Sequence, residues 1–355
     1  MEPGAGPAQA GGPAPIPLAG FELSLVLGGG NALGAYHLGA CEALLGAGWE
    51  PARLVGTSIG AVTSAILAGN PPERRLAQLR AFWDRACQPE VQGFWPFPGP
   101  LRAGFGTSPA LAALAGGRPG LFGPRYPGLL SLLPGMPGDR AIRDHRPMAR
   151  TLRELIDFDL LNSSETRVSI VAVDMEAGEE VWFDNRESRI TPEHLLACTA
   201  LAPLFPPVEI DGRLLCDAGL ANNLPIDRIF RTPPGTRSLC IAIDLFSARG
   251  GRPETLGETV TRVQDLGFAM QARRAVAVLR RELDLLQRLD PDRPGAILAH
   301  LAYRGQETDR ALKPFDFSAR SLRSRTAQGE ADMQAMLERI FHAPQDDSLV
   351  YLGPA

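Results

Sequence analysis

The fold is decided by residues 21–70, which read FELSLVLGGGNALGAYHLGACEALLGAGWEPARLVGTSIGAVTSAILAGN. This stretch predicts a strand, a glycine turn, a helix, a second short strand, a sharp turn and a second helix. The first helix is rich in small residues, which suits a helix that lies close against a sheet. Because strand-helix-strand units build parallel sheets with helices on their faces, we predict an α/β fold.

Later segments of the chain add to the same sheet. The apolar run 238–246 predicts a central parallel strand. A hairpin is predicted from strands at 166–175 and 179–185, joined through Glu176-Ala177-Gly178. Further strands are predicted at 206–210, 213–219 and 295–303, and helices at 191–201, 257–289 and 328–341. The chain is therefore predicted to form three layers, with a mostly parallel central sheet flanked by helices.

The chain divides into a core domain, 21–246, and segments attached to it. Residues 1–20 contain neither Lys nor Arg and no continuous apolar run. They predict a disordered leader, not a secretory signal or a membrane span. Residues 247–355 are predicted to form a C-terminal helical extension. These features favour a cytoplasmic protein and leave peripheral contact with a membrane open.

The core domain contains an insertion at 89–147 that is rich in Pro and Gly. A long segment with little regular structure that keeps aromatic side chains favours a folded cap or lid over a solvated linker. A mostly structural insertion is the alternative. The aromatic residues of this insertion are Phe94, Trp95, Phe97, Phe105, Phe122 and Tyr126.

Composition excludes several classes of function. The formal net charge is −4, from 36 basic and 40 acidic side chains, so no overall positive field attracts nucleic acid. The five cysteines are scattered and never form a Cys-x-x-Cys pair, which argues against a disulfide framework and against a zinc site. We expect no metal ion and no cofactor.

The segment GTSIG, residues 56–60, has the pattern of a nucleophile elbow. A chain that turns sharply between a strand and a helix needs glycines on both sides of the nucleophile, and Gly56 and Gly60 meet that need. Ser58 then precedes the helix that begins at Ile59, where free N–H groups favour a developing oxyanion. A strand-to-helix turn without catalytic function is the alternative.

The segment GGGNALG, residues 28–34, is a second glycine turn between a strand and a helix. It lacks the Lys-Ser/Thr of a P-loop and the G-x-G-x-x-G pattern of a dinucleotide site. Its backbone N–H groups are predicted to face the same edge of the sheet as Ser58, as an oxyanion hole requires. The predicted donors are Gly28, Gly29, Gly30 and Asn31, together with Ile59. A tight turn with no other role is the alternative.

The base that activates Ser58 is predicted to be an aspartate. The five histidines, His37, His145, His194, His300 and His342, lie in predicted helices, a predicted strand or polar helix ends, and each favours a structural role.

The segment LLCDAGLANNLPID, residues 214–227, places Asp217 at the end of a strand. A partly desolvated carboxylate at that position is able to accept a proton directly from a serine.

Together these segments resemble the patatin-like phospholipases, which are lipid acyl hydrolases with a Ser/Asp dyad. The resemblance spans about residues 22–245 and includes residues 191–226 as well as the two glycine-containing turns. The nucleophile of that family falls on Ser58, and its base motif falls on Asp217, Ala218 and Gly219. Its oxyanion turn falls on Gly28, Gly29, Gly30 and their neighbours. Bacterial members with a C-terminal extension look most similar.

The glycine turn departs from the family pattern, which often reads Gly-Gly-Gly-x-Arg-Gly. Aligned without gaps through Gly34, Asn31 stands where the third glycine stands and Leu33 stands where the arginine stands. A backbone N–H survives at both positions, so an oxyanion hole is retained. The guanidinium that would contact an anion or a headgroup is lost.

The resemblance implies ester hydrolysis of phospholipids or related lipids through an acyl-serine intermediate. Ser58 attacks, Asp217 takes its proton, and N–H groups of Gly29, Gly30 and Ile59 hold the oxyanion. A short-chain esterase, a thioesterase or an acyltransferase is an alternative enzyme. A non-catalytic lipid-binding module is an alternative of another class.

Overall fold

The computed structural model describes residues 20–88, 109–231, 236–305, 312–344 and 349–354. The predicted leader, apart from Gly20, lies outside these residues. The strands are β1 (Phe21–Leu27), β2 (Arg53–Thr57), β3 (Gly123–Pro124), β4 (Arg143–Asp144), β5 (Arg167–Asp174), β6 (Glu180–Asp184), β7 (Val208–Ile210), β8 (Arg213–Asp217), β9 (Arg237–Asp244), β10 (Ala296–Ala302) and β11 (Leu349–Leu352). The helices are α1 (Ala35–Gly46), α2 (Ile59–Ala68), α3 (Pro72–Ala86), α4 (Pro109–Gly116), α5 (Arg146–Leu155), α6 (Phe158–Ser163), α7 (Pro192–Cys198), α8 (Asp227–Arg231), α9 (Leu256–Leu289) and α10 (Ala319–Phe341).

Nine of these strands form one sheet, in the order β11-β10-β9-β1-β2-β5-β8-β7, with β6 also paired to β5. All neighbours from β11 to β5 run parallel. The β5-β6, β5-β8 and β7-β8 pairs are antiparallel. The predicted mostly parallel sheet and the predicted hairpin of residues 166–185 are therefore confirmed.

The sheet is buried on both faces, which gives the predicted three layers. Successive strand residues point to opposite faces. Leu25 and Leu27 of β1 belong to one core with residues of α1, α2 and α10. Val26 belongs to a second core with Ala272 and Val276 of α9. Apolar runs such as LSLVL are explained by this burial on both sides.

The last helix, α10, is longer than predicted. It begins at Ala319, where the Ser318 hydroxyl accepts a hydrogen bond from the N–H of Ser321, and it continues through Gly329. A Cβ at Gly329 would lie 2.1 Å from the Tyr36 carbonyl oxygen of α1. The glycine therefore permits a close contact between helices and does not end the helix. The helix predicted at 191–201 is shorter in the structure, where α7 spans Pro192–Cys198.

The C-terminal extension contributes strands as well as helices. Its strands β10 and β11 continue the central sheet beyond β9. Its helix α10 packs on α1, where a Cβ at Gly39 would lie 1.8 Å from the Thr326 carbonyl oxygen. The extension is thus built into the same sheet and the same core as the preceding residues.

Part of the predicted cap, 89–108, lies outside the described residues, including Phe94, Trp95, Phe97 and Phe105. The remainder contains α4, a short β3-β4 hairpin and a 3-10 turn at Gly128–Leu132.

Within the described ranges, no helix is long and apolar enough to cross a membrane.

Candidate active site

Ser58 lies in a sharp turn between β2 and α2. Its backbone has φ 55° and ψ −121°, a left-handed conformation that is rare for a residue with a side chain. A Cβ at Gly56 would lie 2.4 Å from the Gly60 carbonyl oxygen, and one at Gly60 would lie 2.0 Å from the Leu27 carbonyl oxygen. Both glycines of the GTSIG segment are therefore required by close backbone contacts.

The Ser58 hydroxyl donates a hydrogen bond to Asp217. The distance from Ser58 Oγ to Asp217 Oδ2 is 2.5 Å. The other carboxylate oxygen, Oδ1, accepts a hydrogen bond of 2.8 Å from the N–H of Gly219. The Asp217 side chain is thus held at both oxygens, with one of them directed at the serine.

Strand β5 brings the two side chains together although 159 positions separate them in the sequence. Thr57 at the end of β2 pairs with Val171 of β5. The next residue of β5, Ala172, pairs with Asp217 at the end of β8. The ends of β2 and β8 therefore lie on the two sides of β5, opposite adjacent residues of that strand.

Burial changes the acidity of Asp217. Desolvation raises the pKa of this carboxyl group to about 6, and hydrogen bonds from Ser58 and Gly219 oppose that rise. A carboxylate with this pKa is ionised at neutral pH and is a stronger base than an ordinary aspartate. General-base chemistry requires both properties.

Two of the predicted oxyanion donors already have acceptors. The N–H of Gly28 donates to the Ile243 carbonyl oxygen at 3.0 Å, and that of Gly29 donates to the Asn223 carbonyl oxygen at 3.2 Å. These bonds fix the glycine turn to the neighbouring elements. In this conformation the N–H groups of Gly28 and Gly29 are therefore not available to an oxyanion.

The other three predicted donors, Gly30, Asn31 and Ile59, line the same cavity as Ser58. Their N–H groups have no acceptor within the described residues. Asn31 has φ 53°, a conformation that asparagine tolerates better than most residues. Its side-chain Nδ2 is buried and has no hydrogen-bond partner among the residues that the structure describes.

Asn223 supports the glycine turn, a role that the sequence analysis did not assign. Its Nδ2 donates to the Gly29 carbonyl oxygen at 3.2 Å, and its own N–H donates to Gln271 Oε1 at 3.0 Å. A Cβ at Gly29 would lie 2.5 Å from Asn223 Oδ1. The polar pair NN that follows the DAG segment was the only signal of this role in the sequence.

Arg325 of the C-terminal extension also contacts the glycine turn. It is 1% exposed, and its Nη1 donates to the carbonyl oxygens of Ala32 at 3.3 Å and Asp316 at 2.9 Å. Its Nη2 donates to the Lys313 carbonyl oxygen at 3.1 Å. A buried arginine from the extension therefore lies beside the turn in which Leu33 stands at the position of the family arginine.

Three of the histidines, His37, His145 and His300, lie in surroundings that suit a structural role. Burial lowers the pKa of His37 to about 3. His145 lines the cavity, but its Nε2 contacts the Leu196 carbonyl oxygen at 3.1 Å. His300 is buried, with its Nδ1 3.2 Å from the Tyr351 hydroxyl.

The cavity above Ser58 and Asp217 is mainly apolar. Its volume is about 80 Å³, within about 840 Å³ of empty space that includes solvent at its open mouth. Leu121 and Phe122 come from the described part of the cap, and Phe268 and Phe315 come from the C-terminal extension. The extension therefore forms one wall of the cavity, which the sequence analysis did not predict.

No cluster of three or more His, Cys, Asp or Glu side chains suited to a metal ion occurs in the described part of the chain.

Comparison with known proteins assigns both parts of the chain. Residues 25–229 match a family model described as patatin-like phospholipase, and residues 271–346 match one described as patatin phospholipase. VipD from Legionella pneumophila aligns over 90% of this chain and 67% of its own, with a TM-score of 0.43 and 16% sequence identity.

Similar curated proteins are longer than this chain. An uncharacterized NTE family protein of Mycobacterium tuberculosis is 23% identical over 67% of this chain and 53% of its own length. Patatin-like phospholipase domain-containing protein 6 of Homo sapiens is 27% identical over 69% of this chain and 15% of its own. The lysophospholipase NTE1 of Mycosarcoma maydis is 23% identical over 69% of this chain and 11% of its own. The chain thus spans about half or less of these relatives. Because the first family model covers more than half of the chain, the protein belongs to the patatin-like phospholipase family.

Proposed function

We propose that this protein hydrolyses carboxylic ester bonds of phospholipids or related lipids through an acyl-serine intermediate. One observation carries the proposal. The Ser58 hydroxyl donates to a desolvated Asp217 carboxylate at a mainly apolar cavity. Membership of the family supports the same chemistry.

The first half of the reaction forms the acyl-enzyme. Ser58 Oγ attacks the ester carbonyl carbon while Asp217 Oδ2 accepts the hydroxyl proton. The negative charge on the carbonyl oxygen is stabilised by the N–H groups of Gly30, Asn31 and Ile59, and by the Asn31 side-chain amide. When the tetrahedral intermediate collapses, the bond to the alcohol oxygen breaks and Asp217 returns the proton to that oxygen.

The second half releases the fatty acid. Asp217 accepts a proton from a water molecule, whose oxygen attacks the acyl carbonyl carbon. The bond between that carbon and Ser58 Oγ then breaks, and the proton passes back to Ser58. A two-residue site completes both halves because the same carboxylate serves as the base in each.

Covalent labelling tests this proposal. A fluorophosphonate is expected to add once to the folded protein, at Ser58, as located by intact mass and peptide mapping. Heat-unfolded protein is the control, because an activated serine requires the folded site. Native protein that is not labelled would favour a lipid-binding module.

Substrate length separates the enzymatic alternatives. With p-nitrophenyl esters, we expect kcat/KM to increase from two-carbon to eight-carbon or longer acyl chains, because the cavity wall is apolar. An optimum at two to four carbons would favour a short-chain esterase. Transfer of the acyl group to an added alcohol, measured as ester product, would favour an acyltransferase.

The pH dependence of kcat/KM follows from the raised pKa of Asp217. The base must be ionised to accept a proton, so activity falls as pH drops through about 6. At pH 5 we expect kcat/KM to be roughly tenfold below its plateau, since one pH unit below the pKa leaves about a tenth of the carboxylate ionised. Circular dichroism at pH 5 controls for unfolding. A midpoint at or below about 4, the ordinary aspartate value, would contradict a desolvated base.

A further inference from the structure

The described part of the cap exposes a group of large apolar side chains. We call residues 126–133 the leucine loop. Fractional exposures there are 76% for Tyr126, 59% for Leu129, 46% for Leu130, 79% for Leu132 and 56% for Leu133. Contiguous exposed apolar groups of this kind mark interaction sites in soluble proteins.

The leucine loop is held in this exposed arrangement by Asp139. The carboxylate of Asp139 accepts hydrogen bonds from Arg125 Nε at 2.9 Å and from the Gly128 N–H at 3.0 Å. These bonds close the base of the loop, and Leu130 N–H donates to the Pro127 carbonyl oxygen within it. The leucines are therefore presented to solvent by a braced loop.

The surroundings of the leucine loop are basic, although the whole chain is acidic. Residues 125–150 contain five arginines and two aspartates, whereas the formal net charge of the chain is −4. Arg140 and Arg150 are exposed, whereas Arg146, whose side chain is 78% exposed, forms an ion pair with Asp144 at 2.6 Å. Apolar side chains beside exposed arginines match the acyl region and the anionic headgroups of a phospholipid surface.

The leucine loop is also connected to the cavity. The N–H groups of Ile142 and Arg143, just beyond it, donate to the carbonyl oxygens of Pro203 and Leu204. The next residue along the chain, Phe205, lines the cavity that contains Ser58. The exposed apolar group thus belongs to the same structural unit as one wall of the cavity.

From these observations we propose that the leucine loop docks this protein onto an anionic phospholipid membrane. The proposal rests on the proposed function, since it specifies that the lipid substrate is reached in a bilayer. Tyr126 and the leucines enter the region between headgroups and acyl chains, and the arginines contact anionic headgroups. The occupant of this surface is a lipid bilayer and not a protein.

Vesicle sedimentation with the full chain tests the proposal. The vesicles contain phosphatidylcholine alone or with about a third of phosphatidylglycerol. Leu129→Ser combined with Leu132→Ser is expected to weaken binding to the anionic vesicles by about tenfold or more, because two apolar insertions are lost. The matched control is Leu256→Ser with Leu289→Ser, two leucines of α9 that are each 81% exposed. We expect less than about a twofold change for this control.

Charge is tested separately. Arg140→Glu is expected to weaken binding to anionic vesicles by about fivefold, with little effect on the weaker binding to phosphatidylcholine alone. Equal loss with both lipids would contradict the electrostatic contribution.

Further measurements distinguish failure of this proposal from failure of the proposed function. Fluorophosphonate labelling and hydrolysis of a soluble short-chain ester are expected to be unchanged in the loop variant, because the leucine loop does not line the cavity. Wild-type protein that is labelled but does not bind vesicles would overturn membrane docking and leave the proposed hydrolase intact. Equal losses in the loop variant and in the α9 control would also overturn the assignment to this loop.

Discussion

Replacing Asp217 with asparagine is expected to lower kcat/KM for ester hydrolysis by about 10³-fold or more. Asparagine fits the same space but cannot accept a proton from Ser58 Oγ, so the nucleophile loses its base. The fluorophosphonate labelling rate should fall in parallel. Combining Asp217→Asn with Ser58→Ala should cost little beyond Ser58→Ala alone, because the two residues act as a unit. A variant that keeps a tenth or more of wild-type activity would exclude Asp217 as the base.

The same variant is expected to be at least as stable as the wild type at pH 7. The pKa of Asp217 is raised in the folded state from an ordinary value near 3.8 to about 6, so the folded protein binds this proton more tightly than the unfolded chain. The contribution of Asp217 to the free energy of unfolding therefore becomes less favourable as pH rises from about 4 to 6, and it remains unfavourable above 6. Asparagine removes that charge. Differential scanning calorimetry at pH 7 should show an equal or higher Tm, and a clear decrease would contradict this account.

Replacing Gly39 with alanine is expected to lower the free energy of unfolding by about 2–4 kcal/mol. The added Cβ would lie 1.8 Å from the Thr326 carbonyl oxygen, so α10 must move away from α1. Backbone atoms are fixed in both helices and have no alternative rotamer. Because α10 carries Arg325, which contacts the glycine turn, we also expect a lower kcat/KM at temperatures where the variant is folded.

Gly46→Ala provides the matched control for this prediction. Gly46 ends the same helix, and a Cβ there has no neighbouring atom within 4 Å. Alanine is favoured over glycine in helices by about 0.5–1 kcal/mol, so this variant should be neutral or slightly more stable. Denaturant unfolding of both variants measures the change in the free energy of unfolding, which we expect to be opposite in sign or absent for Gly46→Ala. Equal effects at the two positions would show that the α1-α10 contact does not limit stability.

The sequence predicted the elements whose signals are local. Apolar runs identified β1, β5, β9 and β10, and the glycines of GTSIG identified the turn at Ser58, because each pattern reflects burial or backbone geometry within a few residues. The meeting of Ser58 with Asp217 is an arrangement across β5. The sequence predicted the pairing from the position of Asp217 at the end of a strand and from the family resemblance, but it did not show the strand that brings the two residues together.

Features that depend on distant contacts were missed. The start of α10 was predicted at residue 328 instead of Ala319, because the packing of Thr326 and Gly329 on α1 depends on contacts that are distant in the sequence. The hydrogen bonds of the Gly28 and Gly29 N–H groups depend on Ile243 and Asn223, which are nearly 200 residues away or more. The contribution of Phe315 to the cavity wall likewise follows from tertiary packing alone.

The support that the C-terminal extension gives to the glycine turn has a consequence for when the site forms during translation. Gln271 accepts a hydrogen bond from Asn223, and Arg325 donates one to the Ala32 carbonyl oxygen. Both residues that support the turn are translated more than 200 residues after Ser58, so Ser58 emerges from the ribosome before they do. We expect the nascent protein to lack the proposed hydrolase activity until residues 271 and 325 have both emerged from the ribosome, so that the order of translation delays that activity.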